Sequence, residues 1–260
     1  MAAGILPISG FIIALNEADR IALTIRSLKQ VVDEVIVVDS GSTDGTQQVA
    51  EAEGAKVYFH AWQGYGLQKR FAEDQCKNAW LLNLDADEIL SDALAEEICG
   101  VFAGNPEQHT GYTMRIYNML AGETKIPPYT QMNTCLRLYN KNFARFSEST
   151  VHDSVIVEKG TVAALSAPVY HPSFRSLAHA IEKLNRYSTM QAEDMLGKGQ
   201  RVSVLRLIFE FKASFIKAYF FRKYIFRGAR GFSYAMLYAF MRFMRLAKLH
   251  EMQQMKDKKP

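Results

Sequence analysis

Much that would announce a function is missing from this 260-residue chain. No Gly-x-Gly-x-x-Gly follows any strand-like segment; the nearest approach, Gly64-Tyr65-Gly66, continues as Leu67-Gln68-Lys69. A dinucleotide-binding Rossmann turn is therefore unsupported, since its glycines are what let backbone and helix approach a pyrophosphate. No Gly-Lys-Ser/Thr phosphate loop occurs either. The three cysteines, Cys76, Cys99 and Cys135, have no metal-type spacing and cannot all pair. Free thiols in a reducing compartment are expected. No stretch reaches the ~18 uncharged apolar residues of a spanning helix, and no basic segment precedes the apolar N-terminal residues, so neither a spanning segment nor a signal peptide is expected. Internal repeats and low-complexity tracts are absent too. The length suits one large domain, or a domain with an appendage, and can bury a full core.

What is present is unevenly distributed. The net charge of +4 divides sharply: residues 201–260 hold 14 Lys/Arg against 3 Asp/Glu, while residues 1–200 hold 17 against 24. The same sixty residues carry 13 of the 30 aromatic side chains. Such asymmetry predicts an anionic partner for the C-terminal end, a membrane surface or a nucleic acid.

The first hundred residues alternate strand and helix patterns. Strands are expected at 8–15, 35–38, 56–59 and from Trp80. Helices are expected from a cap at Asn16 to about Gln30, then to about Glu53, then to Lys77. This is the pattern of βαβ units and a mainly parallel sheet. From residue 105 the pattern changes to strands at 111–119, 133–139 and 155–157 joined by irregular loops. From Ser176 the chain becomes helical, at about 176–196, 201–226 and 231–250, with breaks at the glycine pairs 197/199 and 228/231. The division expected is a catalytic domain over 1–175, with a nucleotide-binding half (1–104) and an acceptor-side half (105–175). A basic, aromatic helical extension over 176–260 follows.

Acids collect where strands should end. Trp80-Leu81-Leu82-Asn83-Leu84 runs into Asp85-Ala86-Asp87-Glu88, and Val37-Val38 runs into Asp39. In an open α/β sheet the carboxyl ends of strands form the ligand crevice. Asp85 and Asp87, two apart in an extended chain, can face one ligand. Paired carboxylates need a cation or donors between them, and hard oxygen ligands suit Mg²⁺ or Mn²⁺ bound through substrate phosphates. Read alone, the same acids could end a strand and start a helix, and Asp39 could brace its loop. Asn16 and Glu17 share that edge and that ambiguity.

Taken together, Ile13-Ala14-Leu15-Asn16-Glu17, the run 37–46 (Val-Val-Asp-Ser-Gly-Ser-Thr-Asp-Gly-Thr) and Leu84-Asp85-Ala86-Asp87-Glu88 resemble family 2 glycosyltransferases of the GT-A fold. The stretch Gln68-Lys69-Arg70, the motif Val151-His152-Asp153 and the basic C-terminus resemble more narrowly the lipopolysaccharide-core β-glucosyltransferase branch. The resemblance spans nearly the whole chain. It implies an inverting transfer from a nucleotide sugar, UDP-glucose, to the inner core of a lipid-anchored oligosaccharide at the cytoplasmic face of an inner membrane. It implies that Asp39, Asn16 and Glu17 hold the nucleoside and that Lys69 or Arg70 approaches the nucleotide. Asp87 would bind a divalent ion, Mg²⁺ or Mn²⁺, and Asp85 would contact ribose or metal-bound water. Asp153 stands in the place of the catalytic base, one methylene shorter than the branch's usual glutamate, with Glu148 in reserve. His171 offers a further contact to metal or diphosphate.

Inverting displacement needs one acid for the acceptor proton and charge compensation for the departing diphosphate, with no covalent nucleophile. A sugar-phosphate nucleotidyltransferase would need a glycine-rich, arginine-containing loop after the first strand, where 14–17 supply none. A non-enzymatic membrane-binding module would leave the acids of residues 16–88 without a role. In the tail, a helix over 203–226 places Arg206, Glu210, Ser214 and Lys217 on one polar strip, with apolar residues on the broad remainder. That predicts peripheral association of residues 201–260 with a membrane surface, or a homodimer through the same helices. RNA binding is not expected, since it would favour aromatics exposed on a sheet.

Overall fold

The computed structural model describes residues 4–128, 130, 132–149 and 154–257. The first part alternates as the sequence predicts: β1 (Leu6–Ala14), α1 (Ile21–Leu28), β2 (Val32–Asp39), α2 (Thr46–Ala52), β3 (Lys56–Phe59), α3 (Tyr65–Gln75) and β4 (Trp80–Asn83). β1, β2 and β4 are buried along nearly their whole length, as strands covered on both faces must be. Alternate residues serve opposite faces. Ile8, Ile12, Val37 and Leu82 join the apolar cluster that includes Ile21 and Ile25 of α1. Phe11, Ile36, Val38 and Leu81 join the cluster that includes Ala72 of α3.

β1 pairs in parallel with β2 on one side and β4 on the other, and β2 pairs in parallel with β3. The chain thus winds outward from β1 to β3, then returns to place β4 on β1's other edge. That reversal is the topological switch point at which open α/β sheets bind ligands. The loops after β1, β2 and β4 all emerge there.

The sheet continues through β5 (Ile89–Leu90), β6 (Gly111–Asn118), β7 (Asn133–Asn140) and β10 (Val162–His171), in the order β3-β2-β1-β4-β7-β6-β10-β5. β7 is antiparallel to β4 and β6, β10 is parallel to β6, and β5 is antiparallel to β10. A small second sheet pairs β8 (Ala144–Phe146) with β9 (Val155–Val157). α4 (Asp92–Ala103) follows β5 and is capped by the Ser91 hydroxyl, which accepts from the Leu94 amide at 3.2 Å. Asp87 and Glu88 therefore do not begin this helix.

Met1–Asn118 and Met132–His171 form one compact unit, and Met119–Gln131 with Pro172–Pro260 form a second. The second unit contains α5 (Leu177–Gly197), α6 (Val204–Ile216) and α7 (Gly228–Asp257). Among the described residues no helix is long and apolar enough to cross a membrane.

Three expectations need correction. Asn16 is not a helix cap: it adopts a left-handed φ of 57°, and α1 begins only at Ile21. The helix expected over 201–226 ends at Ile216, gives way to a π turn at Lys217–Phe221 and then a 3-10 turn at Tyr224–Arg227. Gly231 does not break the last helix but lies inside it, where a Cβ would sit 1.9 Å from the Tyr224 carbonyl oxygen.

Candidate active site

Two groups of polar residues occupy the switch-point edge. The first is the loop after β2. Asp39 is fully buried; its Oδ1 accepts from the Gly41 and Ser42 amides, both at 2.9 Å, and from Gln47 Nε2 at 2.7 Å. The Ser42 hydroxyl donates to Oδ2. Burial alone would raise the Asp39 carboxyl, but these donors outweigh it and hold the group below its ordinary range. Gly41, at φ 103°, gives the loop a turn that other residues rarely adopt. Asn16 closes the loop from the β1 side: its amide donates to Ser42 Oγ at 2.8 Å and its Oδ1 accepts from the Thr43 amide at 2.9 Å. The Glu17 amide donates to Thr46 Oγ1 at 2.8 Å, and the Glu17 carboxylate pairs with Arg20 at 3.1 Å.

The second group surrounds the acids after β4. Lys69, on α3, is buried and donates to Asp85 Oδ1 at 2.9 Å. Arg137, on β7, donates to Asp85 Oδ2 at 2.9 Å, to Glu88 Oε1 at 2.7 Å and to Asn83 Oδ1 at 2.5 Å. Glu88 Oε2 accepts from the Asp85 amide at 2.9 Å, closing the turn. The Asp85 side chain keeps 35% of its surface exposed, whereas Glu88 keeps 2%. Burial would raise Asp85, yet the Arg137 and Lys69 cations dominate and hold it well below the usual carboxylate range. Burial pushes Glu88 upward against the pull of Arg137, and the charge of Asp85 adds to the rise. Asp85 is thus the ionised, solvent-facing member of the group, and Glu88 is its interior brace.

Asp87 turns to different partners. Its Oδ2 lies 3.0 Å from Arg20 and 3.2 Å from His171 Nε2. His171 ends β10, and its Nδ1 lies 2.9 Å from Asn118 Oδ1 at the end of β6. An amide oxygen can only accept, so with this partner Nδ1 carries a proton, while Nε2 faces the Asp87 carboxylate and donates to it when the ring is charged. Burial would lower the His171 pKa, but the hydrogen bond and charge of Asp87, with Glu88 and Asp85 beyond, raise it above its ordinary value. Among the described residues no three or more His, Cys, Asp or Glu side chains form a metal cage. Asp87 and His171 nevertheless fit a divalent ion that completes its shell with phosphate oxygens and water. The Asn118 bond orients the imidazole as outer partners of metal-binding histidines do.

Beside these groups lies the segment leading to Val151-His152-Asp153. β8 is anchored to α3 through buried Glu73, whose carboxylate accepts from Tyr139 Oη at 2.6 Å, the Phe146 amide at 3.0 Å and Arg145 Nε at 2.9 Å. Arg70 donates to the Phe146 carbonyl at 3.1 Å and lies 3.6 Å from Glu148. Arg70 is therefore drawn toward this segment, while its neighbour Lys69 serves the acids. Asp153, expected as base, lies outside the described residues, as do Val151 and His152.

The structure gathers Lys69, Asp85, Asp87 and His171 into one edge and sets Asp39, Asn16 and Glu17 in the adjoining loop; Arg20 pairs with both Glu17 and Asp87. No hydrogen bond or ion pair among the described residues joins Asp39 directly to the acids after β4. Sequence reasoning missed Arg20, Asn83, Asn118 and Arg137. Of these Arg137 left a trace, an arginine amid the apolar alternation of Leu136, Leu138 and Tyr139.

Residues 9–156 match the model of the glycosyl transferase family 2. An uncharacterized glycosyltransferase of Rickettsia felis is 46% identical, covering 94% of this chain and 89% of the relative. The lipopolysaccharide core biosynthesis glycosyltransferase LpsC of Rhizobium meliloti is 34% identical, covering 95% of this chain and 93% of its own. Among solved structures, S. aureus TarS 1–349 superposes with a TM-score of 0.48 at 15% identity, covering 96% of this chain and 92% of that one. With more than half its length in the family model, and with relatives that span nearly all of it, the chain belongs to glycosyl transferase family 2 and is a glycosyltransferase of the GT-A fold.

Proposed function

We propose that this glycosyltransferase works by inversion and with a divalent ion. It would move glucose from UDP-glucose onto a lipid-anchored oligosaccharide such as the inner core of lipopolysaccharide, at the cytoplasmic face of the inner membrane. The observation that carries the reading is the Asp87–His171 pair, oriented by Asn118 and set at the switch point beside Asp85. The likeness to LpsC supports the acceptor class. In this reading Asp39, Asn16 and Glu17 receive the nucleoside, and Asp85, held by Lys69 and Arg137, faces the ribose or the water around the ion. Arg70 holds the segment that leads to the base.

Asp87 and His171 would hold Mg²⁺ or Mn²⁺ on the donor diphosphate. Such an ion offsets the negative charge that grows on the departing nucleoside diphosphate. The acceptor hydroxyl oxygen attacks the anomeric carbon in line, its proton passes to the Asp153 carboxylate, and the bond from that carbon to the diphosphate breaks. Lys69 and Arg137 keep Asp85 ionised throughout. Arg20 shares Asp87 with His171, so charge at the edge stays nearly balanced before the donor arrives.

A hydrolysis screen across UDP-, GDP- and dTDP-sugars with Mn²⁺ or Mg²⁺ tests this reading. Turnover of a UDP-sugar that stops when the ion is chelated is the expected result. Asp87→Ala should lower that turnover by at least about 100-fold, as loss of a principal charge-stabilising group does, with the fold intact. Asp153→Asn should cut transfer while donor affinity is retained. Full activity of Asp87→Ala, or turnover indifferent to chelation, would remove the metal from the scheme. A collapse of donor affinity in Asp153→Asn would remove Asp153 as the base.

A further inference from the structure

The amphipathic pattern of α6 is oriented against the usual rule. Glu210 and Ser214, the middle of its polar strip, face inward. Glu210, with 11% of its side chain exposed, accepts from Arg242 of α7 at 2.9 Å and lies 3.9 Å from Arg245 and 3.9 Å from Arg206. Ser214, one turn on, is buried and donates to Glu210 Oε1 at 3.2 Å. While Leu207 packs inward, other large apolar residues of α6 face outward: Leu205 is 66% exposed, Ile208 61%, Phe209 54% and Ile216 49%. These positions follow helical spacing, so they form one continuous stripe. The stripe does not end with the helix. Phe220 and Phe221 of the π turn are exposed, as are Phe232, Met236 and Phe240 at four-residue steps along α7. Phe215 of α6 and Phe232 of α7 touch, with ring centroids 5.7 Å apart, and so carry the stripe from one helix to the other.

A row of large apolar side chains facing water requires a cover, and the charges set among them indicate which. Lys212 lies on the same exposed face as Leu205, Ile208 and Ile216, and Lys217 and Lys223 follow it. None of the three makes an ion pair among the described residues. In an interface between proteins, the centre excludes lysine, because its ammonium would lose water without gaining a partner. At a bilayer surface the same lysine lays its methylene stem along the acyl region and raises its ammonium to a phosphate. We infer that the α6 face, continued by the π turn and the outer edge of α7, is a docking surface for an anionic phospholipid bilayer. The outward face of α6 enters the boundary between headgroups and acyl chains, and Lys212, Lys217 and Lys223 meet the phosphates. The inference deepens the lipid-linked-acceptor reading and rests on it for its purpose, but its physical basis is separate from the transfer site.

Flotation of the full-length protein with vesicles, without donor or divalent ion, is the test. Binding should be strong to vesicles of phosphatidylcholine and phosphatidylglycerol in equal parts and weak to phosphatidylcholine alone. At about fivefold per lysine beside an anionic surface, Lys212→Gln/Lys217→Gln/Lys223→Gln should lose on the order of 100-fold in partitioning. Ile208→Ser/Phe209→Ser should weaken binding to both vesicle types. If that pair of changes lowers the unfolding midpoint, the lysine variant, which touches only exposed charges, decides alone. Equal binding to both vesicle types, or none, overturns the inference. So does a stable dimer on sizing chromatography that Ile208→Ser/Phe209→Ser dissociates, since a second copy would then cover the stripe. Because no donor is present, loss of vesicle binding leaves the metal-dependent transfer reading intact, and an inactive donor screen leaves this one intact.

Discussion

Arg137 is the residue on which the acid cluster depends. It is one cation against two carboxylates, with 8% of its side chain exposed, and its Nε finds no hydrogen-bond partner among the described residues. Asp85 has Lys69 as a second cation, but among the described residues Glu88 has no other ion pair. Removing Arg137 therefore strands a nearly fully buried carboxylate, and breaking a buried pair in this way costs about 3–5 kcal/mol. Against a typical total stability of about 5–15 kcal/mol, that is a large fraction. Arg137→Met should lower the urea midpoint accordingly, and Arg137→Met/Glu88→Gln should recover a good part of the loss, because the stranded charge is gone. A single variant as stable as wild type would show that Glu88 is neutral in the folded protein. The sequence displayed Asp85, Asp87 and Glu88 plainly but not the difference between them. That difference comes from Lys69, Arg137, Arg20 and His171, which lie between 16 and 84 positions away in the chain.

At the scale of elements, the close approach of α3 to the segment after β8 is set by one glycine. Gly66 is the second residue of α3, and its amide donates to the Ser149 carbonyl at 3.0 Å. A Cβ there would lie 2.1 Å from the Ser147 carbonyl oxygen and 2.6 Å from that of Ser149. Two effects then oppose each other in Gly66→Ala. Helix propensity favours alanine by about 1 kcal/mol, while forcing backbone apart in a packed site costs about 1–3 kcal/mol. The clash is with backbone, which has no rotamer to change, so the variant should be net destabilised. Its donor turnover should fall more than its donor affinity, because the displaced segment leads directly to Asp153. A stabilised Gly66→Ala would mean that 147–149 does not rest on α3. The parallel half of the sheet was legible because each strand carries its own apolar run. β10 was not: Pro168 interrupts it, and proline argues against a strand. The structure admits it at the register shift between Ala164 and Pro168, where the Ser166 and Ala167 amides donate to Glu97 of α4 at 2.9–3.0 Å. α6 shows the complementary case. Its spacing put Glu210 and Ser214 on one face, but Lys217 falls beyond the helix end and is exposed, and periodicity gives two faces without saying which is inside. Arg242 and Arg245, more than thirty residues on, decide it.

For the molecule as a whole, the division of charge was the most legible feature and its meaning the least. Residues 201–260 carry their excess of 14 cations over 3 acids, and only some of those cations are spent internally. Arg227 lies 3.7 Å from Glu123, Arg230 donates to the Gly122 carbonyl at 2.8 Å, and Arg242 pairs with Glu210. The exposed lysines of the α6 surface are left to act at a distance, and their attraction must weaken as salt shortens the range of charge. The Debye length falls from about 30 Å at 0.01 M salt to about 10 Å at 0.1 M and about 3 Å at 1 M. The ion pairs of Asp85 and Asp87 are short and partly buried, and salt screens such pairs far less. Vesicle association should therefore fall steeply across that range while turnover of a soluble donor changes less than about twofold. The residual binding at 1 M then measures what Leu205, Ile208, Phe209 and Ile216 contribute by apolar burial alone. Association that does not change with salt would mean that the lysines stand clear of the headgroups. A parallel loss of donor turnover would mean that the charged tail and the acid-lined edge do not act separately.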